Sequence, residues 1–240
     1  MRLDRFICKS TELTKAEAIM QIHGGTVQVI NPLNSTVKTN TILDESFQVH
    51  ENNSILLHGK CLLLRPFRYI LMHKPRHTLS SNADEGYPSL FNQLIVDRVS
   101  ELHIAGRLDA DTTGMVLITD DGRWTYNITR PSKQCKKVYR VGLAYGIADD
   151  AGDALISKFA QGIQLQGESQ LTLPANLEIL TEQEVLLTIT QGKYHQVKRM
   201  FAAVGNRVLT LHREKIGEVQ LDVELGQWRY LTTSEVQSFY

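Results

Sequence analysis

The sequence predicts an α+β protein: a small N-terminal unit followed by a larger unit built on a mixed or antiparallel sheet. Three observations predict this. Short apolar and β-branched runs recur from Tyr69 onward, only two stretches there have helical length and spacing, and residues 1–60 carry a helix and strands of their own. In the N-terminal unit, Thr14-Lys15-Ala16-Glu17 has the form of a capping box, so a helix is predicted from there through Ile19 and Ile22 to a stop at Gly24-Gly25. Thr26–Val29 alternates as a strand, Asn31-Pro32-Leu33-Asn34 reads as a turn, and further strands are predicted at Thr36–Lys38 and Phe47–His50. Residues 61–67 read as a connection and 68–240 as the larger domain. In that domain Tyr69–Met72, Met115–Thr119, Tyr139–Leu143, Val185–Ile189 and Arg207–Leu211 are predicted strands, and Ala151–Ala160 and Gln196–Val204 predicted helices.

The 240 residues carry 26 basic and 26 acidic side chains, so net charge argues neither for nor against a polyanionic partner. The charges are nevertheless segregated. From Arg123 to Arg140 stand six basic residues and no acidic one, and from Lys193 to Lys215 six more against Glu214 alone. Such segments build either one basic cleft or two ordinary solvated faces. Three scattered cysteines suit a reducing compartment, and the N-terminus lacks the apolar stretch of a signal peptide, so a soluble cytoplasmic protein is expected. There is no glycine-rich nucleotide loop, P-loop, Gly-x-Ser-x-Gly elbow or His-Glu-x-x-His pair, and the eight histidines lack metal-ligand spacing. No cofactor and no metal are therefore expected. His103 and His195 are each open to a role as acid or base or to an ordinary polar role.

GRLDADTTGMVLITDDG, residues 106–122, is the most informative stretch. Three readings compete for it: a calcium loop, a pair of solvated turns, and the mouth of an active site. Asp109, Asp111, Thr113 and Gly114 fit positions 1, 3, 5 and 6 of a calcium loop poorly, because a strand-like run follows where a helix should begin. Asp120-Asp121-Gly122 suits a turn at a strand end. Asp109 suits neither. It directly follows Leu108 just before an apolar strand, and a partly buried carboxylate there needs cations or donors. Arg107, Lys198 and Arg199 are the candidate cations and Tyr139 a further companion; a carboxylate held ionised is a nucleophile, not an acid.

The same stretch resembles the signature of the pseudouridine synthases, in the branch named for the small-subunit ribosomal RNA enzyme. RYILMHKPRHTLS at 68–80 resembles the family's first motif, KKVYRV at 136–141 its Lys-x-Tyr strand, and QGKYHQVKRMFAAVGNRVLTLHREKIG at 191–217 its third motif. Residues 1 to about 60 resemble the S4-like RNA-binding module of this branch. The resemblance implies Asp109 as the catalytic carboxylate, Tyr139 as the aromatic packed against the target base, and Lys198 at the site of a cation paired to the aspartate, with Arg199 sharing that role. It implies RNA contacts by Arg107, Lys74, Lys133, Lys136, Lys137 and Arg199, with the two basic segments on either side of the Asp109 pocket. His73 and His77 depart from the motif's Asn and Gly, and a histidine occupies a left-handed position only with strain, so a differently shaped loop is expected from Pro75 to Ser80. The implied reaction is the isomerisation of uridine to pseudouridine in 16S rRNA, naked or in a partly assembled small subunit, at uridine 516. A large-subunit rRNA synthase of the same branch and a non-catalytic rRNA-binding assembly factor are the alternatives. The isomerisation has no net redox change and needs no cofactor.

Overall fold

A computed structural model describes residues 1–31, 44–148 and 150–240, and the chain divides into two compact units, Met1–Pro66 and Phe67–Tyr240. The first unit contains α1 (Leu3–Ser10), α2 (Lys15–His23), β1 (Val27–Ile30), β2 (Ser54–Leu57) and β3 (Lys60–Cys61). Thr14 caps α2 as the sequence predicts: its hydroxyl accepts from the Glu17 amide, and the Glu17 carboxylate accepts from the Thr14 amide at 2.8 Å. Leu3 and Ile7 on α1, and Ala18 and Ile22 on α2, each four residues apart, meet Val27, Val49 and Ile55 in one small core. His58 and Gly59, both left-handed, make the two-residue turn that joins β2 to β3. Helix α1 was not expected. The predicted Phe47–His50 strand reduces to a single bridge between Gln48 and Arg2. The predicted strand at Thr36–Lys38, and the turn beyond Asn31, lie outside the described residues. Of residues 61–67, expected as a connection, 61–66 fall in this unit: Leu62 N–H donates to the Ile55 carbonyl, and Arg65 donates to the Thr11 and Cys8 carbonyls.

The second unit is built on a nine-stranded mixed sheet flanked by helices. Its elements are β4 (Tyr69–Lys74), β5 (His103–Ala105), β6 (Thr113–Thr119), α3 (Gly122–Thr129), β7 (Lys137–Leu143), α4 (Gly152–Gln161), β8 (Asn176–Thr181), β9 (Glu184–Ile189), α5 (Gln196–Ala203), β10 (Val208–Ile216), β11 (Val219–Gln220), β12 (Trp228–Tyr230) and α6 (Thr233–Gln237). The strand order is β12-β4-β6-β10-β7-β9-β8, with β5 added to β6 and β11 to β10. Every pairing is antiparallel except β6 with β10. On one edge β6 pairs with β4 along its length; on the other it pairs with β10 at Thr113–Gly114 and with β5 at Leu117–Thr119. The sheet thus forks along β6. The close approach at the fork requires Gly114: its φ is +111°, and a Cβ there would lie 2.3 Å from the Arg213 carbonyl oxygen.

Alternation along β6 sends Val116 and Ile118 to one face, with Phe159 of α4 and Met200 and Phe201 of α5, and Met115 and Leu117 to the other, with Trp124 and Ile128 of α3 and Val236 of α6. Helices α3 and α5 therefore cover opposite faces. The first basic segment, 123–140, thus begins as α3 on one face and carries Tyr139 to the core on the α5 face. Helices α3 and α6 were not expected. Asp121 opens α3, accepting from the Arg123 and Trp124 amides, so Asp-Gly here is a helix start and not only a turn. Its other oxygen accepts from the Tyr69 and Tyr240 hydroxyls at 2.9 and 3.0 Å, and Asp120 accepts from the Arg68 amide and side chain. Both aspartates are buried structural groups and not a solvated pair.

Candidate active site

Asp109 stands in the loop between β5 and β6, and the first-motif segment after β4 holds that loop from three sides. The Ser80 hydroxyl accepts from the Leu108 amide at 3.0 Å and donates to the Leu108 carbonyl at 2.8 Å. The His77 amide donates to the Ala110 carbonyl at 2.8 Å. The Lys74 ammonium, fully buried, donates to the carbonyls of Pro75, Ala110 and Thr112 at 2.9, 3.2 and 2.8 Å. His77 is left-handed at φ 59°, with its ring against Tyr87, so the loop accepts the strain that the departure from glycine implies. His73 lies in β4, where Nδ1 hydrogen-bonds with the Val223 carbonyl. Lys74 is thus corrected from an RNA contact to a residue that fixes the loop on both sides of Asp111.

Burial drives the Lys74 ammonium down to about 8, against the opposing pull of Asp111 and Asp109. It is protonated at neutral pH and loses its charge as pH rises through about 8, loosening its hold on the 110–112 carbonyls. Turnover is therefore expected to fall on the alkaline side with a midpoint near 8, read as a single-turnover profile between about pH 6 and 9.5. Because this amine titrates lower in the fold than its ordinary 10.5, the folded state binds fewer protons between those values. The group's contribution to stability then rises with pH, so the loss is not unfolding. A profile flat to about pH 9 would remove Lys74 from this role.

Across from the loop, His195 and Lys198 of the third motif converge on Asp109. Lys198 Nζ lies 3.2 Å from Asp109 Oδ2, and His195 Nε2 3.3 Å from Oδ1. The carboxylate is about one-third exposed, at 32 %. Lys198 is shared: it donates to both oxygens of Asp111 at 2.7 and 2.9 Å, closer than to Asp109. Burial opposes the charge on Lys198, but its bonds to Asp111 and Asp109 outweigh it and hold the ammonium above its ordinary value. Burial likewise opposes ionisation of Asp111, and Lys198 overrides it downward. Two carboxylates thus face one ammonium, with an imidazole beside the other oxygen of Asp109. Thr113 and Gly114, positions 5 and 6 of the calcium pattern, open β6 and not a helix.

The remaining expected residues divide. Arg199 does not share in holding Asp109: it pairs with Glu168 at 3.3 Å and donates to the Gln166 and Tyr194 carbonyls. Glu168 also accepts from Lys193 at 2.7 Å, a bond that holds its carboxyl below the usual range. Lys137 is buried, donating to the Ile128 and Cys135 carbonyls at 2.6 and 2.8 Å, and is corrected as an RNA contact. Burial pushes its ammonium down as well. Lys133, Lys136 and Arg107 are exposed. Arg107 has no hydrogen-bond or ion-pair partner among the described residues. His103 hydrogen-bonds with Thr125 of α3. Tyr139 lies buried on β7 beside a residue that the sequence reading missed, Arg213 of β10. Arg213 is 2 % exposed and sits in the fork of the sheet. Nε donates to the Met115 carbonyl at 2.8 Å, Nη2 to the Gly106 carbonyl at 2.7 Å, and Nη1 to the Tyr139 hydroxyl at 3.3 Å. One guanidinium thereby joins the Tyr139 strand to the loop that carries Asp109. The available signal was the inward position it shares with buried Leu211, two residues earlier on the strand.

The family model described as RNA pseudouridylate synthase matches residues 68–203, which hold Lys74, Asp109, Tyr139, His195 and Lys198. The chain is 44 % identical to ribosomal small subunit pseudouridine synthase A of Vibrio cholerae serotype O1 over the whole of both chains. It is 42 % identical to the protein of that name from Escherichia coli K12, over 99 % of each. A crystal structure described as a pseudouridylate synthase superposes with a TM-score of 0.69 at 40 % identity, covering all of both chains. With a matched segment that contains the Asp109 loop and the third-motif residues facing it, the chain belongs to the RNA pseudouridylate synthase family.

Proposed function

We propose that this pseudouridine synthase isomerises a uridine of 16S rRNA, uridine 516, with Asp109 as the catalytic carboxylate. The observation that carries the reading is the Asp109 carboxylate, partly exposed and flanked by Lys198 and His195 at 3.2 and 3.3 Å, in a chain similar over its full length to proteins named for the ribosomal small subunit. The reaction breaks the bond from uracil N1 to C1′, turns the ring and rejoins it through C5; C5 gives up a proton and N1 takes one up, so the atoms balance. Lys198 Nζ pairs with Asp109 Oδ2 at 3.2 Å. An ionised carboxylate serves each route that this requires, whether attack on C1′, attack on the ring, or steadying of positive charge on the sugar. Tyr139 packs against the base, and its ring orientation is set by Arg213. Exposed Arg107, beside the carboxylate in sequence, occupies the space that a flipped base leaves in its helix. Lys133 and Lys136 contact phosphates, and the N-terminal unit adds affinity as an RNA-binding module, in the cytoplasm where ribosomes assemble.

The test is incubation of the protein with 16S rRNA carrying tritium at uracil C5. Tritium release, with pseudouridine mapped to position 516, is the expected result. Release from large-subunit rRNA alone would move the substrate to the other subunit, and tight binding without release would leave a non-catalytic assembly factor.

A further inference from the structure

Tyr194 and His195 form a feature that the reaction chemistry does not absorb. His195 precedes α5 in the left-handed conformation, φ 48° and ψ 32°, and its side chain does not cap the helix. Neighbouring residues of an extended chain point their side chains apart. The left-handed turn instead brings the two rings face to face, with centroids 3.8 Å apart and planes at 22°. Strain of this kind persists only where the surroundings fix it. Here they do: the Tyr194 carbonyl accepts from Arg199, which is held by Glu168, and the Lys193 amide donates to the Gln196 side chain.

The order of groups is what matters. The Asp109 carboxylate meets the imidazole edge of His195 at 3.3 Å, the imidazole carries one face of the Tyr194 ring, and Tyr194 as a residue is 77 % exposed. Its hydroxyl has no partner among the described residues. A braced, flat, exposed aromatic surface one ring removed from the reacting carboxylate fits a nucleobase, which offers a π-face whatever its sequence. Flipping one uridine from its helix unstacks its neighbours, and a neighbour in the same strand then needs a new surface.

We propose that Tyr194 is the stacking platform for the nucleotide adjacent to the target uridine, and that His195 sets its register to Asp109. The inference rests on the reading of Asp109 as the site of uridine isomerisation. Tyr194 acts on substrate binding and not on the bond-breaking step.

The experiment uses the full chain and a 16S rRNA fragment centred on uridine 516, unlabelled or with 2-aminopurine at either flanking nucleotide. Binding by the wild-type protein should change the fluorescence of one flanking probe. Tyr194→Phe and Tyr194→Trp should keep that change and a near-normal KM. Tyr194→Leu and Tyr194→Ala should abolish it and raise KM roughly tenfold with kcat little altered. The Leu variant keeps the proposal testable if the Ala variant folds poorly. A wild-type probe signal and KM in both Leu and Ala would overturn the platform. So would an equal loss of kcat in Phe and Ala, which would assign the hydroxyl to chemistry. The fluorescence change needs no turnover, whereas tritium release by the wild-type protein reports the isomerisation itself. A protein that releases tritium while Tyr194→Ala keeps the probe signal defeats the platform alone; one that releases none defeats the underlying reading.

Discussion

Asp109→Asn is expected to leave a folded protein that binds RNA and forms essentially no pseudouridine, with single-turnover formation down on the order of 10⁴-fold or more. The amide keeps the volume and one carbonyl oxygen but loses the charge and the nucleophile, so every route that uses an ionised carboxylate fails together. Folding should survive because no cation is stranded. Lys198 retains both oxygens of Asp111 at 2.7 and 2.9 Å, and only its longer bond to Asp109 weakens. A partly exposed pair of this kind is worth at most about 1 kcal/mol, so melting should move by only about 2–4 °C. Affinity for RNA should hold or rise slightly, since a negative charge leaves a surface that meets phosphates. Asp111→Asn is no neutral control, because Asp111 shares the same ammonium. Asp153→Asn, exposed in the first turn of α4, serves instead. Substantial turnover by well-folded Asp109→Asn protein would sink the assignment of the carboxylate.

What the sequence made legible follows from how local each signal is. The capping box at Thr14, the glycines after α2, the continuous apolar run of β6 and the strand run of β7 act within a few residues, and the structure has these elements there. Helix α1 escaped notice because Arg2 precedes it without a side-chain cap. Helix α3 escaped because Asp-Gly signals a turn and a helix start alike, and only the four-residue spacing of Trp124 and Ile128 separates the two. Helix α6 had an unread signal in Thr232 and Glu235, which form a second capping box. At the site, the Asp109 loop and the approach of Lys198 were readable from motifs. Which cations face the carboxylate was not. Arg199 follows Lys198 by one residue, yet the helix turns it toward Glu168, 31 residues earlier in the chain. Lys74 and Lys137 look like surface charges in any composition count, and their burial depends on carbonyls that the fold brings to them.

Arg213 is the strongest case of a group whose partners only the fold brings together, and its replacement should have the second largest effect. Arg213→Met leaves the Met115 and Gly106 carbonyls and the Tyr139 hydroxyl without the donor they share at 2.8, 2.7 and 3.3 Å. Bonds from a charged donor contribute about 1.5–3 kcal/mol each, and buried acceptors left unpaired add their own desolvation. A loss of at least about 3 kcal/mol is expected, which lowers melting by roughly 6–12 °C for a chain of this length. Arg213→Lys separates charge from geometry. The ammonium preserves the positive charge, but one nitrogen cannot take the place of the planar fork that reaches three acceptors on β6, β7 and the loop before Asp109. If the fork sets the distance between Tyr139 and the Asp109 loop, Arg213→Lys should fold with a smaller loss of stability and still lose activity by roughly two orders of magnitude at saturating RNA, the scale of a small misplacement of reacting groups. Tyr139→Phe supplies the complement. It removes only the 3.3 Å bond and keeps the ring under the guanidinium, whose central carbon lies 5.9 Å from the ring centroid, so its stability should exceed that of Arg213→Met. The measurements are a thermal melt and single-turnover pseudouridine formation for each variant. Wild-type turnover by folded Arg213→Lys protein would show that charge alone suffices in the fork, and that the three-way hydrogen bond does not position the site.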